Sequence, residues 1–223
     1  VSGLLGSSII GFHTQFHCNN FVDTVDRFME ARVDRELFDV TSGGRATAVR
    51  RYPISIEWPP GESVTAEADA ASRTQLLLAN NLPAGHRIGV GIDRLDYTKG
   101  IIERFSAVER LFELKPEWIG RFTFIQIAAP TRSRIVEYHS HEEMVIATAK
   151  RINERFGKNG VPAILLKVEH HGPREVYAHY RAADLCFVSS LHDGMNLVAK
   201  EFCAARPDER GVLILSQFTG AAR

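Results

Sequence analysis

Two cations stand in a short loop that follows an apolar run, and they are the first residues whose types and spacing could do chemistry. The loop, residues 93–100 with the sequence DRLDYTKG, places Arg94 and Lys99 five residues apart, just before a helical pattern. A guanidinium binds anions through a planar fork and an ammonium acts as a point charge, so the pair suits a diphosphate. A helix N-terminus favours the same ligand through its dipole and free N–H groups. Asp93 and Asp96 could orient the cations; the alternative is a solvated loop with local Asp–Arg pairs.

The loop with the most specific pattern is residues 189–196, SSLHDGMN, which leads into a helical pattern over residues 197–205. Gly194 permits an unusual backbone angle or the close approach of a ligand. Asp193 could accept hydrogen bonds from sugar hydroxyls, and Glu201, one helical turn further on, could accept two from a ribose. The alternative is a capped helix with a surface glutamate. The peptide N–H groups that would face phosphate oxygens at this helix start belong to Met195, Asn196 and Leu197.

Other candidate ligand groups carry weaker signals. Arg132 follows a third apolar run and adds a cation, but an arginine after a strand is common. His139 and His141 are two residues apart and do not share a helix face, and His170 and His171 lack a partner at metal-ligand spacing. We therefore expect no metal site. No Gly-x-Gly-x-x-Gly follows a strand, which disfavours a dinucleotide cofactor, and no Gly-x-Ser-x-Gly elbow is present.

The elements that must position these loops alternate along the second part of the chain. Apolar runs typical of buried strands are separated by amphipathic helical patterns, which indicates a Rossmann-like parallel sheet covered by helices on both faces. Ligands bind beyond the carboxyl ends of such strands, where the candidate loops lie. Strands are predicted over residues 87–92, 122–128, 163–168, 185–189 and 211–217, and helices over residues 101–114, 136–156, 174–182 and 197–205.

The first third of the chain is less regular than the rest. We expect a domain boundary between residues 58 and 85, where Trp58-Pro59-Pro60-Gly61 and the segment 80–85 interrupt the predicted elements. The start at Val1 and the end at Arg223 are read as the ends of a fragment. The predicted elements of the first third are a strand over residues 9–12, a helix over 19–31, an extended run over 47–56 and a helix over 66–79.

Composition excludes several classes of protein. Lys and Arg total 27 and Asp and Glu total 27, a zero net charge that argues against a dedicated nucleic-acid binder. Hydrophobic residues make up 44% and charged residues 24%, which argues against disorder. We find neither an apolar run long enough for a membrane helix nor a signal peptide. Three cysteines without a CxxC motif favour a reducing, cytoplasmic setting.

Several sequence strings resemble the trehalose-6-phosphate synthases of glycosyltransferase family 20. They are GIDRLDYTKGIIERF, QIAAPTRSR, LHDGMNLVAKEF and GVLILSQFTGAA, with IIGFHT near the start, and the match runs over nearly the whole chain. The resemblance implies a GT-B fold, two Rossmann-like domains with the active site between them. Residues 1–70 would then be the end of an N-terminal, acceptor-side Rossmann-like domain, and residues 71–223 a truncated nucleotide-sugar-binding domain. It also implies transfer of glucose from UDP-glucose to glucose 6-phosphate with retention of configuration, giving α,α-trehalose 6-phosphate without a metal or other cofactor.

The resemblance also implies roles for individual residues. Arg94 and Lys99 would hold the donor diphosphate and stabilise the departing nucleotide, and Asp193 would bond glucose hydroxyls; these three are the expected catalytic residues. Arg132 would line the phosphate or acceptor-phosphate site. The other implied donor-binding positions are Val176 at the base, the backbone of Gly194, Met195, Asn196 and Leu197 at the sugar and phosphates, the adjoining Val198, and Glu201 at the ribose.

Alternatives stay open at this point. A glucosylglycerol-phosphate synthase using glycerol 3-phosphate would share the donor half, and a non-catalytic homologue that senses sugar phosphates is another class. The donor base, the acceptor and a homo-oligomeric state are not determined, whereas nucleic-acid and membrane partners are not expected. His192 stands where many relatives have arginine, which puts one phosphate-side contact in doubt. The acceptor-binding half would lie upstream of Val1, so we expect the chain alone to be inactive.

Overall fold

Two units make up the chain, residues 1–55 together with Arg223, and residues 56–222. The structure, a computed structural model, describes residues 1–61, 70–131 and 136–223. The division falls earlier in the chain than the predicted boundary after residue 70.

The first unit contains one helix and a mixed sheet. Thr14 begins the helix at Gln15 rather than Asn19, because its side chain accepts a hydrogen bond from the backbone N–H of His17. The first and last strands pair in parallel, while the two strands between them form antiparallel pairs that the sequence did not predict. The sheet order is β1-β4-β3-β2. The elements are β1 (Ile9–Phe12), α1 (Gln15–Phe28), β2 (Arg32–Asp34), β3 (Asp39–Ser42) and β4 (Arg45–Arg51).

The second unit contains a five-stranded parallel sheet, as the alternating pattern predicts. Its helices are α2 (Ala70–Ala79), α3 (Ile101–Leu114), α4 (Val136–Phe156), α5 (Pro173–Ala182) and α6 (Leu197–Ala204). Its strands are β5 (Arg87–Arg94), β6 (Phe122–Ala129), β7 (Ile164–Lys167), β8 (Leu185–Val188) and β9 (Val212–Leu215), in the order β7-β6-β5-β8-β9. Of the helix predicted over residues 66–79, residues 66–69 lie outside the described residues.

Two hydrophobic clusters, one on each face of this sheet, hold the helices in place. Strand β6 is buried at every position but its last, which explains why its sequence is continuously apolar rather than alternating. Helices α2, α5 and α6 contribute to one cluster and helices α3 and α4 to the other. The α/β fold class predicted from the sequence is therefore confirmed. Within the described ranges, no helix combines the length and apolar character that a bilayer crossing needs.

Candidate functional site

The loop after β5 is shaped by a capped turn and a left-handed glycine. Asp96 accepts a hydrogen bond from the backbone N–H of Thr98 at 2.9 Å, which caps a short 3₁₀ turn that ends at Lys99. Burial acts to raise the pKa of Asp96, but its hydrogen bonds to Thr98 and the nearby cations hold that pKa below its ordinary value. Gly100 then adopts φ +64°, and a Cβ there would collide with the carbonyl oxygen of Ser189. Only glycine fits this position, where the loops after β5 and β8 touch.

An ion pair joins the two loops. Lys99 Nζ lies 2.6 Å from Asp193 Oδ2, and each side chain is 15% exposed. The same carboxylate oxygen accepts a hydrogen bond from the Asn196 side-chain amide at 3.1 Å. Burial acts to raise the pKa of Asp193, yet the Lys99 ammonium and the Asn196 amide hold it below its ordinary value. The site therefore presents an ionised carboxylate beside an ammonium group.

The start of helix α6 is an ordered turn. Asn196, at φ +82°, caps the helix by accepting a hydrogen bond from the backbone N–H of Ala199 at 2.9 Å. The buried Met195 is held through its carbonyl, which accepts from the N–H of Ala221. Within the described residues, no protein acceptor contacts the amide nitrogens of Leu197 and Val198. These first-turn N–H groups can therefore donate to an anion.

Beneath the loops lies a buried guanidinium that the sequence interpretation did not single out. Arg104 of helix α3 is fully buried and donates to Asp93 Oδ2 at 2.8 Å, to Gln126 Oε1 at 2.6 Å and to Ser189 Oγ at 3.0 Å. Ser189 Oγ in turn donates to the carbonyl of Gly100 at 2.7 Å. Burial raises the pKa of the Asp93 carboxyl, although Arg104 opposes that rise. Asp93 therefore pairs with Arg104 inside the fold rather than orienting Arg94 or Lys99 by an ion pair.

The sequence did carry a signal for Arg104. Helix α3 buries Ile101, Phe105, Val108 and Phe112 on one face, and Arg104 occupies a position of that same face. A charged side chain at such a position must find partners in the core. Opposite it, Gly91 leaves the space that the guanidinium occupies, since a Cβ at Gly91 would collide with Arg104.

Glu201 is oriented by a buried tyrosine. The Tyr180 hydroxyl donates a hydrogen bond to Glu201 Oε2 at 3.1 Å. Burial and the nearby Glu201 charge raise the pKa of Tyr180 well above its ordinary value, so the hydroxyl keeps its proton. Val176 and Val198, both partly buried, pack against the same hydrophobic cluster as Tyr180. The sequence interpretation named Glu201 and both valines but missed the tyrosine that connects α5 to α6.

In the part of the chain that the structure describes, the remaining predicted residues make no contact of their own that defines the site. Arg94 ends strand β5 with an exposed side chain, and among the described residues it makes no ion pair. Gly194 is partly exposed in the loop that also carries the exposed His192. Arg132 lies outside the described residues. No group of three or more potential metal-ligating side chains converges within the described ranges.

The whole chain matches a known protein family and several curated proteins in sequence. The sequence model of glycosyltransferase family 20 matches residues 1–223. The α,α-trehalose-phosphate synthase (UDP-forming) of Pichia angusta is 35% identical over 223 residues, which cover 100% of this chain and 46% of that protein. The bifunctional trehalose-6-phosphate synthase/phosphatase of Thermoproteus tenax is 36% identical, over 100% of this chain and 30% of that protein.

Solved structures agree with the sequence matches. A Burkholderia xenovorans α,α-trehalose-phosphate synthase (UDP-forming) in complex with glucose-6-phosphate superimposes with a TM-score of 0.90 and 31% identity, over 99% of this chain and 48% of that one. A trehalose-6-phosphate structure from E. coli, bound with UDP-2-fluoro glucose, superimposes with a TM-score of 0.87 and 32% identity. The superposition covers 98% of this chain and 48% of that one. The chain thus spans about half the length of these relatives. Since the family's sequence model covers it from end to end, the chain belongs to glycosyltransferase family 20.

Proposed function

We propose that this chain is the nucleotide-sugar-binding part of a retaining glucosyltransferase that forms α,α-trehalose 6-phosphate from UDP-glucose and glucose 6-phosphate. The observation that carries the proposal is the Lys99–Asp193 pair, which stands beyond the carboxyl ends of the neighbouring strands β5 and β8. Such an edge is where parallel α/β sheets bind ligands. Relatives named UDP-forming trehalose-phosphate synthases support the substrates. Because the chain covers 46% of one of these relatives and 30% of the other, turnover is proposed for the complete protein.

Lys99 and Arg94 would bind the donor diphosphate. The glycosyl C–O bond breaks as the electron pair moves onto the leaving phosphate oxygen, so negative charge grows there. A positioned cation stabilises that charge more in the transition state than in the ground state, which accelerates the step. Lys99 is held in place by Asp193, whereas the exposed Arg94 would meet the outer face of the diphosphate. The N–H groups of Leu197 and Val198 would add donors to the same anion.

Asp193 would orient the glucose, and Glu201 the ribose. An ionised carboxylate accepts hydrogen bonds from sugar hydroxyls, and the low pKa of Asp193 keeps it ionised at neutral pH. Tyr180 fixes one oxygen of Glu201, so the other remains for a ribose hydroxyl. Val176, at the start of α5, would stand beside the base through its backbone. We assign the backbone of Gly194 to the sugar and phosphates.

No side-chain base is needed in the proposed reaction. The acceptor hydroxyl oxygen forms the new bond to the anomeric carbon on the face from which the nucleotide departs. Its proton passes to an oxygen of the leaving phosphate, so UDP departs in protonated form. All atoms and charges are then accounted for without another reactant. We propose on this basis that neither a metal nor another cofactor takes part.

Calorimetric titration of this chain with UDP, GDP and ADP tests the donor site. We expect UDP to bind with a dissociation constant below about 1 mM, and Lys99→Ala and Arg94→Ala each to weaken it at least tenfold. Arg110→Ala is the matched control, since this exposed arginine pairs with Glu113 on the surface of α3, outside the predicted site. A folded chain that binds none of the three nucleotides, or binds them equally well without Lys99, would reject the assignment.

We also propose a reducing, cytoplasmic compartment. Cys18 and Cys186 are buried and Cys203 is exposed, and all three are free thiols. Free cysteines are typical of cytoplasmic proteins. The protein is isolated from its natural source and unfolded in denaturant, and its thiols are then labelled. We expect three reactive thiols, and a disulfide would contradict the proposal.

A further inference from the structure

A cavity lies at the end of the parallel sheet opposite to the Lys99–Asp193 pair. Its volume is about 510 Å³, within the range of small-molecule pockets. Arg87 begins strand β5, Asp184 directly precedes β8 and Val212 begins β9, and all three line the cavity. The amino ends of the parallel strands therefore form it, whereas Lys99 and Asp193 follow the carboxyl ends. The cavity is separate from the proposed donor site.

Positive charge dominates the lining of this cavity, which we call the arginine cavity. Burial acts to raise the pKa of Asp184, but its hydrogen bonds to the Ile88 N–H and to two arginines hold that pKa below its ordinary value. The exposed Asp208 loses some hydration, which acts to raise its pKa, but its hydrogen bond from the Arg210 N–H and its contacts with Arg206 hold that pKa below its ordinary value. Both carboxylates are thus ionised at neutral pH, and the arginines outnumber them. The ionisable lining groups are Arg73, Arg87, Arg181, Arg206 and Arg210 with Asp184 and Asp208.

Two of the arginines belong to the framework of the cavity. Arg206 donates to the carbonyls of Arg181 and Ala183 at 2.7 and 2.6 Å and pairs with Asp208. Arg73 donates to the carbonyls of Ala182 and His86 and pairs with Asp184. Their guanidinium groups are fixed by the backbone, so they keep a positive potential at the wall whether or not a ligand binds.

Two others are placed to contact a ligand. Arg87 is 59% exposed and, among the described residues, makes one ion pair, with Asp184 at 2.7 Å. Arg210 is exposed on the segment between Asp208 and strand β9. A guanidinium has five N–H donors in a planar fork, so a single ion pair leaves donors for a further anion. Arginine forks match phosphate oxygens in geometry.

We propose that the arginine cavity binds a small phosphate-bearing anion, at a site distinct from the donor site and independent of the proposed transferase activity. The exposed Arg87 and Arg210 would contact the phosphate while the framework arginines supply the surrounding positive potential. The phosphate class follows from the charge excess, the fork geometry and a volume that admits a compact phosphorylated molecule rather than a polymer.

The test is a titration of the chain with inorganic phosphate at constant ionic strength, with chloride as the reference anion. Backbone amide NMR shifts report where the ion binds. We expect saturable shifts at Gly211 and Val212, and at least a tenfold weaker affinity in the double variant Arg87→Gln/Arg210→Gln. Both side chains are exposed, so these substitutions should spare the fold, which circular dichroism and thermal melting verify.

Two controls separate this site from others. Arg110→Gln removes a surface charge outside the cavity, and Lys99→Gln removes the central cation of the proposed donor site; we expect both to leave the phosphate affinity within twofold of the unmodified chain. Shifts confined to residues 93–100 and 189–196, shifts that do not saturate, or an unchanged affinity in the folded double variant would overturn the proposal. Loss of UDP binding in Lys99→Gln with phosphate binding intact would show the two sites to be independent.

Discussion

Lys99 Nζ and Asp193 Oδ2 lie 2.6 Å apart although the two residues are 94 positions apart in the sequence. Each belongs to a loop that follows a parallel strand, and strands β5 and β8 are neighbours in the sheet. Leu191 reinforces the contact, because its N–H donates to the carbonyl of Thr98 at 2.8 Å. The proposed donor site is therefore one connected unit rather than two separate loops.

This pair should make stability depend on acidic pH. The folded-state pKa of Asp193 lies below its ordinary value of 3.8. Its contribution is therefore complete above the unfolded-state pKa and is lost as the pH falls through the folded-state pKa. We expect the free energy of unfolding of the wild-type chain to exceed that of Asp193→Asn by on the order of 1 kcal/mol at pH 6, and this difference to shrink as the pH falls below 3.8. Urea unfolding at each pH measures it.

A double-mutant cycle checks that Lys99 is the partner. In a chain that already carries Lys99→Gln, adding Asp193→Asn should lower the free energy of unfolding only slightly. Most of the pH-dependent difference between chains with and without Asp193→Asn should then be absent. If the effects of the two substitutions on the free energy of unfolding were additive, the ion pair would not be the source of the pH dependence.

Arg104 should be among the most costly side chains to replace. Arg104→Met leaves Asp93 buried without its ion-pair partner, and breaking a buried pair in this way costs roughly 3–5 kcal/mol. The double variant Arg104→Met/Asp93→Asn should recover part of that loss, since no buried charge remains. Arg110→Met, on the exposed face of the same helix, should change the unfolding free energy by less than about 1 kcal/mol. Equal effects of Arg104→Met and Arg110→Met on urea unfolding would show that the buried network adds no stability.

Gly100 should tolerate alanine worse than another left-handed glycine does. Gly85→Ala is the matched control, because Gly85 has φ +78° and open space where a Cβ would stand. Gly85→Ala should lower the free energy of unfolding by roughly 1–2 kcal/mol, because an alanine is strained in the left-handed backbone conformation. Gly100→Ala adds a collision with the Ser189 carbonyl, so it should cost more and also weaken UDP binding. Thermal unfolding and calorimetry give both values; similar losses for the two variants would rule out the close contact between the loops.

Tyr180→Phe tests how Glu201 is oriented. The substitution deletes one hydrogen bond and should reduce the unfolding free energy by roughly 0.5–1.5 kcal/mol. If Glu201 binds the ribose, UDP affinity should fall several-fold while affinity for inorganic diphosphate, which lacks a ribose, stays the same. A parallel loss for both ligands would instead indicate a general disturbance of the loops. Tyr177→Phe is the control, as this neighbouring buried tyrosine lies on the same helix.

Much of the second unit was predictable because its signals are local. Helices α3 and α4 begin and end at the predicted residues, since apolar spacing and flanking turns depend only on near neighbours in the chain. The loops that carry Lys99 and Asp193 were found for the same reason. In the first unit, the short strands β2 and β3 went unpredicted, because their few residues carry no periodicity long enough to identify.

What the sequence by itself determined was the order of strands and helices in the second unit, the residue types in each loop and the family resemblance. Tertiary structure alone decided which groups meet: that Asp93 pairs with Arg104, that Tyr180 holds Glu201, and that arginines gather at the amino ends of the strands. The Arg104–Ser189 contact joins residues 85 positions apart. Such contacts depend on which strands lie side by side and on how much water the packed core excludes, and neither is a property of a short stretch of sequence.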